Sequence, residues 1–449
     1  MKINNKIKEI LKRIKGNEVA AKTINNASWL VGDKIFTMVI GVFVMAIVAR
    51  YLGPENYGIY NYALAFVTLF TAISTLGLDT LSVKSIVQQD EEEGTILCTG
   101  LVLRVIGGIV LTILSSVIIK FIEPNESLIH SLVMIMSLTM VFKSLEVIEY
   151  WIQAYQKSKI SSLIRMVVYV FTALLKIAFV LFEGGIFQLA LIYMLDALII
   201  GTSLVFVYFK KRSSRSKWKF RFLYAKSILS KSWYMILSGL MGTLYMQIDK
   251  VMLGSMLINK EELGVFSAAT QISSMWYFIP MAVITSFKPV IMKNKKTSEE
   301  SYLKSVRISY TIVAWMGIGF GVLILIFSEL IIGILFGSDY SNAAGILSIS
   351  VWAGTFAMLG SARGTWLISE GLQKYSVIYI GSGCIINIIL NYFLIPVLGG
   401  YGAAIATLVT QIAVSLIIPA FFKKTTLSVI MMLESFNIKK ALKYIKRIN

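Results

Sequence analysis

Ionisable side chains set inside otherwise apolar stretches are the residues of this chain that could do chemistry. The basic ones are Lys34, Arg50, Arg104, Lys143, Arg165, Lys176, Lys250, Lys288, Arg307 and Arg363; the acidic ones are Asp33, Asp79, Glu146, Glu149, Asp196 and Asp249. A charge at the centre of an apolar span costs roughly 2.5 to 3.5 kcal/mol on insertion scales, so it needs a partner or a wet cavity. Helical spacing sorts them into faces. Arg165 and Lys176 are about three turns apart and leave the helix in one direction. Lys143, Glu146 and Tyr150 fall at i, i+3, i+7, as do Arg363 and Glu370 at i, i+7, and Ser238, Gly242, Tyr245 and Asp249 form a small and polar stripe. Turned inward, such stripes predict a cavity with excess positive charge, suited to a phosphate-bearing ligand. The competing reading of any one stripe is helix packing, in which small residues admit a neighbour and polar ones join it. Lys288 and Arg307 lie at span edges where snorkelling suffices, and Arg50, before Leu52-Gly53-Pro54, is expected to cap a helix end.

Other kinds of chemistry have no residues to perform them. His130 is the single histidine and is expected at a membrane interface; no phosphate-binding loop, zinc-protease motif or nucleophile elbow occurs. Cys98 and Cys384 lie apart, so neither a disulfide framework nor a metal site is expected. An enzyme or a self-sufficient ATP-driven pump is therefore disfavoured.

The elements that must position these charges are apolar spans of about 20 residues. They are expected near 27–50, 57–79, 97–119, 129–153, 162–182, 186–209, 232–256, 264–290, 306–327, 344–369, 376–397 and 401–422. With 57% hydrophobic and 15% charged residues, the chain reads as an all-α polytopic membrane protein of twelve transmembrane helices. Thirty-one of its 43 Lys and Arg residues fall on one side of that ladder, nine of them in 210–231 and seven in 1–26, whereas the other side holds Lys120 and Lys260. Basic loops stay in the cytoplasm, so both termini are expected there. The same topology, with attraction to anionic lipid heads, accounts for the net charge of +19, and a nucleic-acid partner is not expected.

The expected order is a cytoplasmic amphipathic segment over 1–26 (Ile7, Ile10, Leu11 and Ile14 at helical spacing), a six-helix lobe over 27–209, and a basic linker over 210–231. A second six-helix lobe follows over 232–422, then a basic amphipathic tail over 423–449. Two internal matches support a duplication. Glu55-Asn56-Tyr57-Gly58-Ile59-Tyr60 resembles Glu261-Glu262-Leu263-Gly264-Val265-Phe266, and Lys176-Ile177-Ala178 through Gly184-Gly185-Ile186 resembles Asn391-Tyr392-Phe393 through Gly399-Gly400-Tyr401. Six spans per half makes the repeat parallel, an arrangement found in transporters.

Asn26-Ala27-Ser28-Trp29-Leu30, Ala49-Arg50-Tyr51-Leu52-Gly53-Pro54-Glu55-Asn56-Tyr57-Gly58 and Leu76-Gly77-Leu78-Asp79 together resemble the start of the polysaccharide biosynthesis flippases. These form the Wzx-like branch of the multidrug/oligosaccharidyl-lipid/polysaccharide exporters. Asp249-Lys250-Val251-Met252-Leu253-Gly254 and Asn391-Tyr392-Phe393-Leu394-Ile395-Pro396, followed by Gly400-Tyr401-Gly402-Ala403-Ala404, extend the resemblance to nearly the whole chain. It implies a two-lobe fold opening alternately to each side and carrying undecaprenyl-pyrophosphate-linked oligosaccharide to the outer leaflet for O-antigen or capsule synthesis. Its partners would be membrane lipids and the polysaccharide polymerase and chain-length machinery. In that setting Lys34, Arg104, Lys143, Arg165, Lys176 and Arg363 are expected to form the substrate site. Na+ or H+ coupling through Asp33, Asp196 or Asp249 is a further expectation, and no cofactor is expected. The alternatives are a cation-coupled multidrug or small-solute exporter, a membrane-embedded polymerase or acyltransferase, and a passive assembly scaffold.

Overall fold

A computed structural model describes residues 18–212, 216–437 and 439. Of the amphipathic segment expected over 1–26, residues 1–17 lie outside the described residues and 18–26 are helical; of the basic tail expected over 423–449, the part beyond Lys439 lies outside them. Helix makes up 88% of the structure, and no strand occurs among the described residues. The chain forms α1 (Glu18–Ser74), α2 (Leu78–Gln88), α3 (Glu93–Ile122), α4 (Ser127–Ser137), α5 (Thr139–Phe142), a 3-10 segment (Lys143–Val147) and α6 (Ile148–Ala154). It continues with α7 (Ser158–Leu181), α8 (Ile186–Lys211), α9 (Phe222–Met256), α10 (Glu261–Met275), α11 (Phe278–Thr297), α12 (Glu299–Leu335) and α13 (Ala343–Ser369). The last elements are α14 (Lys374–Ile412), a π-helical turn (Ala413–Ile417), α15 (Ile418–Ala420) and α16 (Thr426–Ser435).

Nine helical stretches among the described residues are long and apolar enough to cross a bilayer. Two of them, of 61 and 47 residues, are far longer than the roughly 20 residues one crossing needs. Both are broken by one glycine. Gly53 (φ 72°, ψ 167°) interrupts α1 and Gly399 (φ 53°, ψ −130°) interrupts α14, backbone values that a side chain bearing a Cβ resists. The sequence predicts a short non-helical connection at each of these places; the structure needs only the glycine. Pro54 follows directly, at the first position of the next helix, where its missing N–H costs nothing. Large apolar side chains such as Phe121, Phe182 and Phe206 are exposed on helix surfaces, as lipid contact requires.

The chain divides into two compact units, one made of Met1–Val44 and Phe70–Gly239, the other of Met45–Leu69 and Leu240–Asn449. In the first, Leu78, Leu97, Val147, Trp151, Leu204 and Tyr208 form a continuous buried core joining α2, α3, the 3-10 segment, α6 and α8. A Cβ on Gly201 of α8 would lie 2.8 Å from Leu145 Cβ and 3.0 Å from the Phe142 carbonyl. Glycine there lets the 3-10 segment press against α8, which fixes where Lys143 and Glu146 project.

Within the second unit, the segment around Gly58 packs closely on the start of α10. A Cβ on Gly58 would stand 1.8 Å from the Lys260 carbonyl, and one on Gly264 would stand 1.9 Å from the Pro54 carbonyl. The two glycines thus pack reciprocally, each admitting the backbone of the other segment. Tyr57 donates to Gln271 at 2.8 Å and Tyr340 donates to the Ala49 carbonyl at 2.8 Å beside this crossing. Arg50 caps a helix end, but of a different helix from the expected one: its Nη1 donates at 3.3 Å to the Ile334 carbonyl in the last turn of α12.

Candidate functional site: a mixed-charge cavity

The largest gathering of ionisable groups is a cavity of about 620 Å³ inside the first unit. Lys34 reaches it from α1, Arg104 from α3, Lys143 from the 3-10 segment and Arg165 from α7. Asp33, Asp79, Glu146, Glu149 and Asp196 line the same space. The sequence leads one to expect excess positive charge; the structure sets five acids against four bases, because the stripes bring their carboxylates inward with their cations.

The bases differ in commitment. Arg165 is held by two carboxylates, with Nη2 2.9 Å from both Glu146 Oε2 and Glu149 Oε1, and Nε 3.3 Å from Glu149 Oε1. The three side chains stay partly exposed, at 31%, 17% and 15%, so the cluster faces the cavity instead of being sealed in the wall. Arg104 is buried; Nη1 donates to the Tyr150 hydroxyl at 3.1 Å and stands 3.9 Å from Asp79. Lys34 and Lys143 have no ion partner within 4.0 Å among the described residues, and are the cations open to a ligand. Asp196 accepts from Thr172 at 3.1 Å, and Asp33 is buried with Oδ1 lacking a hydrogen bond.

Two expected substrate residues lie elsewhere. Lys176 shares the α7 face with Arg165 but sits about 16 Å further along the axis at 1.5 Å per residue and is not one of the residues lining the cavity; its Nζ stands 5.9 Å from the ring of Tyr169, which is. Arg363 is in the second unit, 1% exposed, and spent on backbone. It donates to the Val414 carbonyl at 3.2 Å, to the Ser415 carbonyl, and to Ser428 Oγ at 3.1 Å. These carbonyls belong to the π-helical turn, where the i to i−4 ladder is interrupted and acceptors are left over. Nor does Arg363 meet Glu370, which accepts from Lys295 at 2.8 Å and Tyr302 at 2.7 Å. Arg363→Met is accordingly expected to strand buried acceptors and lower stability by roughly 3 kcal/mol, seen as a fall in thermal midpoint without a specific loss of ligand affinity.

A polar cluster that the sequence reading left incomplete lies in the second unit. Asp249, buried on α9, accepts from Asn391 Nδ2 at 2.6 Å and from Thr407 Oγ1 at 2.6 Å. Asn391 also donates to Asn387 Oδ1 at 3.2 Å, and its own Oδ1 has no hydrogen bond. The i, i+4 pair Asn387 and Asn391, amid bulky apolar neighbours, was the available signal. His130 Nε2 sits 2.6 Å from the Glu123 carbonyl near the end of α3, a local structural contact. Among the described residues no group of three metal-ligating side chains occurs, and both cysteines are free thiols.

A multi-pass helical chain with a charged cavity inside one unit has the form of a membrane transporter. Residues 23–295 match the polysaccharide biosynthesis protein family, so the chain belongs to that family, the flippase branch of the multidrug/oligosaccharidyl-lipid/polysaccharide exporters. It is a transporter and not an enzyme. Residues 235–393 also match the MatE family. The chain is 26% identical over 258 residues to a probable low-salt glycan biosynthesis flippase, Agl15, of Haloferax volcanii, a match covering 56% of this chain and about half (52%) of that protein. It is 22% identical over 409 residues to the capsular polysaccharide biosynthesis protein CapF of Staphylococcus aureus, covering 89% of this chain and 99% of CapF. Its fold is that of the lipid II flippase MurJ in an inward closed conformation, with TM-score 0.75 at 15% identity over 93% of this chain and 92% of MurJ. An inward-facing MATE multidrug transporter superimposes with TM-score 0.69 at 14% identity, over 92% and 96% of the two chains.

Proposed function

We propose that this protein is a flippase of the cytoplasmic membrane that carries lipid-linked oligosaccharide, in the form of undecaprenyl-pyrophosphate-linked repeat units, from the inner to the outer leaflet. The observation that carries this reading is the convergence of Lys34, Arg104, Lys143 and Arg165, from four elements, on one cavity. A diphosphate presents oxygens in several directions, and cations from several helices are what surrounds it; the arginines add bidentate geometry. Sugars hydrogen-bond to the polar remainder of the wall, such as Gln153, Ser161 and Tyr169, while the isoprenoid tail stays in lipid. Twelve spans in two parallel six-helix lobes with cytoplasmic termini, reached by counting the Gly53 and Gly399 breaks as turns between crossings and adding α9 to the nine apolar stretches, fit alternating access. Lys176 and Arg363 then support the fold and leave the head group to the other four bases.

Coupling to Na+ or H+ is part of the proposal. Asp249 is the best placed of Asp33, Asp196 and Asp249, because it is buried in a polar cluster, accepting from the Thr407 hydroxyl and the Asn391 amide nitrogen, and the Asn391 Oδ1 beside it is unused. A second reading, export of a cationic solute, is favoured by the surplus of carboxylates in the cavity and by the MatE match.

Complementation of a flippase-deficient polysaccharide strain separates the two. Wild type is expected to deliver lipid-linked oligosaccharide to the outer leaflet. Lys34→Ala and Lys143→Ala together should cut delivery by roughly tenfold to a hundredfold, the loss of two charge-assisted contacts. Undiminished delivery by that variant at matched expression removes the site assignment, and restored drug resistance without delivery favours the second reading.

A further inference from the structure

We propose that Arg165 is an exchange point: the incoming diphosphate takes it over from Glu146 and Glu149, and the released carboxylate pair takes up one proton. The inference rests on the reading of the cavity as a site for a phosphate-bearing head group. It adds a chemical step to that reading, with Glu146 and Glu149 as the groups that couple binding to protons.

Three features of the cluster support it. First, the cluster holds one carboxylate more than its guanidinium can neutralise. An ion pair serving stability alone needs one acid, and the second adds like-charge repulsion to a site already crowded with acids. Second, both carboxylate oxygens touch the same nitrogen at 2.9 Å, so they lie no further from each other than twice that distance. Withdrawing the guanidinium leaves two like charges facing each other within that distance, a repulsion that one added proton relieves. Third, Glu146 sits in the 3-10 segment Lys143–Val147 and Glu149 in the α-helix that follows, with α-helix on both sides of the segment. A short 3-10 stretch inside a helix is a place where winding changes at small cost, and rewinding it turns Glu146 relative to Glu149.

The surroundings set what neutralises the pair. Beside it on its own stretch are Lys143 and Tyr150; α7 presents Tyr169 with Arg165, and α8 presents Asp196. From α3 comes Arg104, already bonded to Tyr150, from α2 Asp79, and from α1 Asp33 and Lys34. Lys143 and Lys34 are the uncommitted cations, and they meet the diphosphate first. Arg165 follows because its planar fork fits phosphate oxygens as well as it fits carboxylates. The three remaining acids leave the freed pair no spare cation, and a proton neutralises it without requiring further ligands. In balance, two carboxylate–guanidinium contacts break, phosphate–guanidinium contacts form, one proton passes from water to the Glu146/Glu149 pair, and no covalent bond changes.

Linkage makes this measurable. A complex that holds one proton more than the free protein binds more tightly as pH falls, by up to about tenfold per pH unit. The probe is farnesyl-diphospho-N-acetylglucosamine, titrated calorimetrically into the full-length protein in lipid nanodiscs at about pH 6 and about pH 8, in buffers of different ionisation enthalpy, which counts the protons bound. Wild type is expected to take up close to one proton per probe. Glu149→Gln and Glu146→Gln, each close in shape to the native side chain, are expected to lower that count toward zero and flatten the pH dependence while still binding the probe. Wild-type binding with no proton uptake overturns the exchange and leaves the flippase reading standing, as does affinity that follows Na+ and ignores pH. Absence of wild-type binding at either pH removes both. Should either glutamine variant fail to fold, the wild-type proton count alone decides.

Discussion

Arg165→Ala is expected to reduce delivery of lipid-linked oligosaccharide by at least a hundredfold, the largest loss of any single cavity substitution. Two effects act together. The ligand loses its only bidentate cation not already bonded to a buried tyrosine, and Glu146 and Glu149 are left facing each other without the guanidinium that holds both at 2.9 Å. Removing one partner of a buried charge cluster costs about 3 to 5 kcal/mol; because these side chains are 15% to 31% exposed, a value near 2 kcal/mol is expected for stability. The two effects separate in a triple variant, Arg165→Ala with Glu146→Gln and Glu149→Gln. Thermal unfolding is expected to return close to wild type, because the Glu146/Glu149 carboxylates are no longer there to be left without their guanidinium, while delivery stays low. Recovery of delivery in the triple variant would show that Arg165 is a structural counter-ion and nothing more.

Gly58→Val and Gly264→Val are expected to abolish stable expression of the folded protein, and the corresponding alanine variants to lower its thermal midpoint. The added carbon lands on carbonyl oxygens at 1.8 Å and 1.9 Å, and those atoms belong to backbone that cannot rotate away. Overpacking typically costs about 1 to 3 kcal/mol, and a backbone-to-backbone clash belongs at the upper end. Gly239→Ala and Gly364→Ala make the comparison sharp. Both glycines are helical with nothing within 4 Å of the added carbon, so alanine there should stabilise by up to about 1 kcal/mol through helix propensity. Equal effects at all four positions would deny the reciprocal crossing its role in holding the second unit together.

Much of this was legible from residue spacing. Periodicity and apolar run length placed the helices, because a span buried in lipid has few ways to satisfy its backbone other than helix. The face shared by Lys143, Glu146 and Tyr150 was visible at i, i+3, i+7, and all three line the cavity, helped by a 3-10 segment in which i and i+3 eclipse. What spacing cannot supply is distance along the axis and the identity of the partner. Lys176 shares a direction with Arg165 yet lies three turns further along the helix, beside Tyr169 and off the cavity lining, and Glu146 pairs across to Arg165 instead of along its own helix to Lys143. Arg363 could not be placed at all, since its partners are carbonyls freed by a π-helical turn about 50 residues later in the chain, and backbone acceptors carry no side-chain signature. The charge balance of the cavity failed in sequence for a related reason. Counting basic residues over whole spans gives the topology of loops, whereas the wall of one cavity is a local selection.

The measurement closest to the central claim is reconstitution of the purified protein in proteoliposomes with a fluorescent lipid-linked oligosaccharide in the inner leaflet, following the label's accessibility to a membrane-impermeant quencher. The account predicts transbilayer movement well above that in protein-free vesicles, reduced at least a hundredfold by Arg165→Ala at equal protein density, and unaffected by a cationic drug offered as competitor. Movement that equals the protein-free rate, or that persists in Arg165→Ala while the drug suppresses it, would contradict the account and place this cavity in the service of a cation.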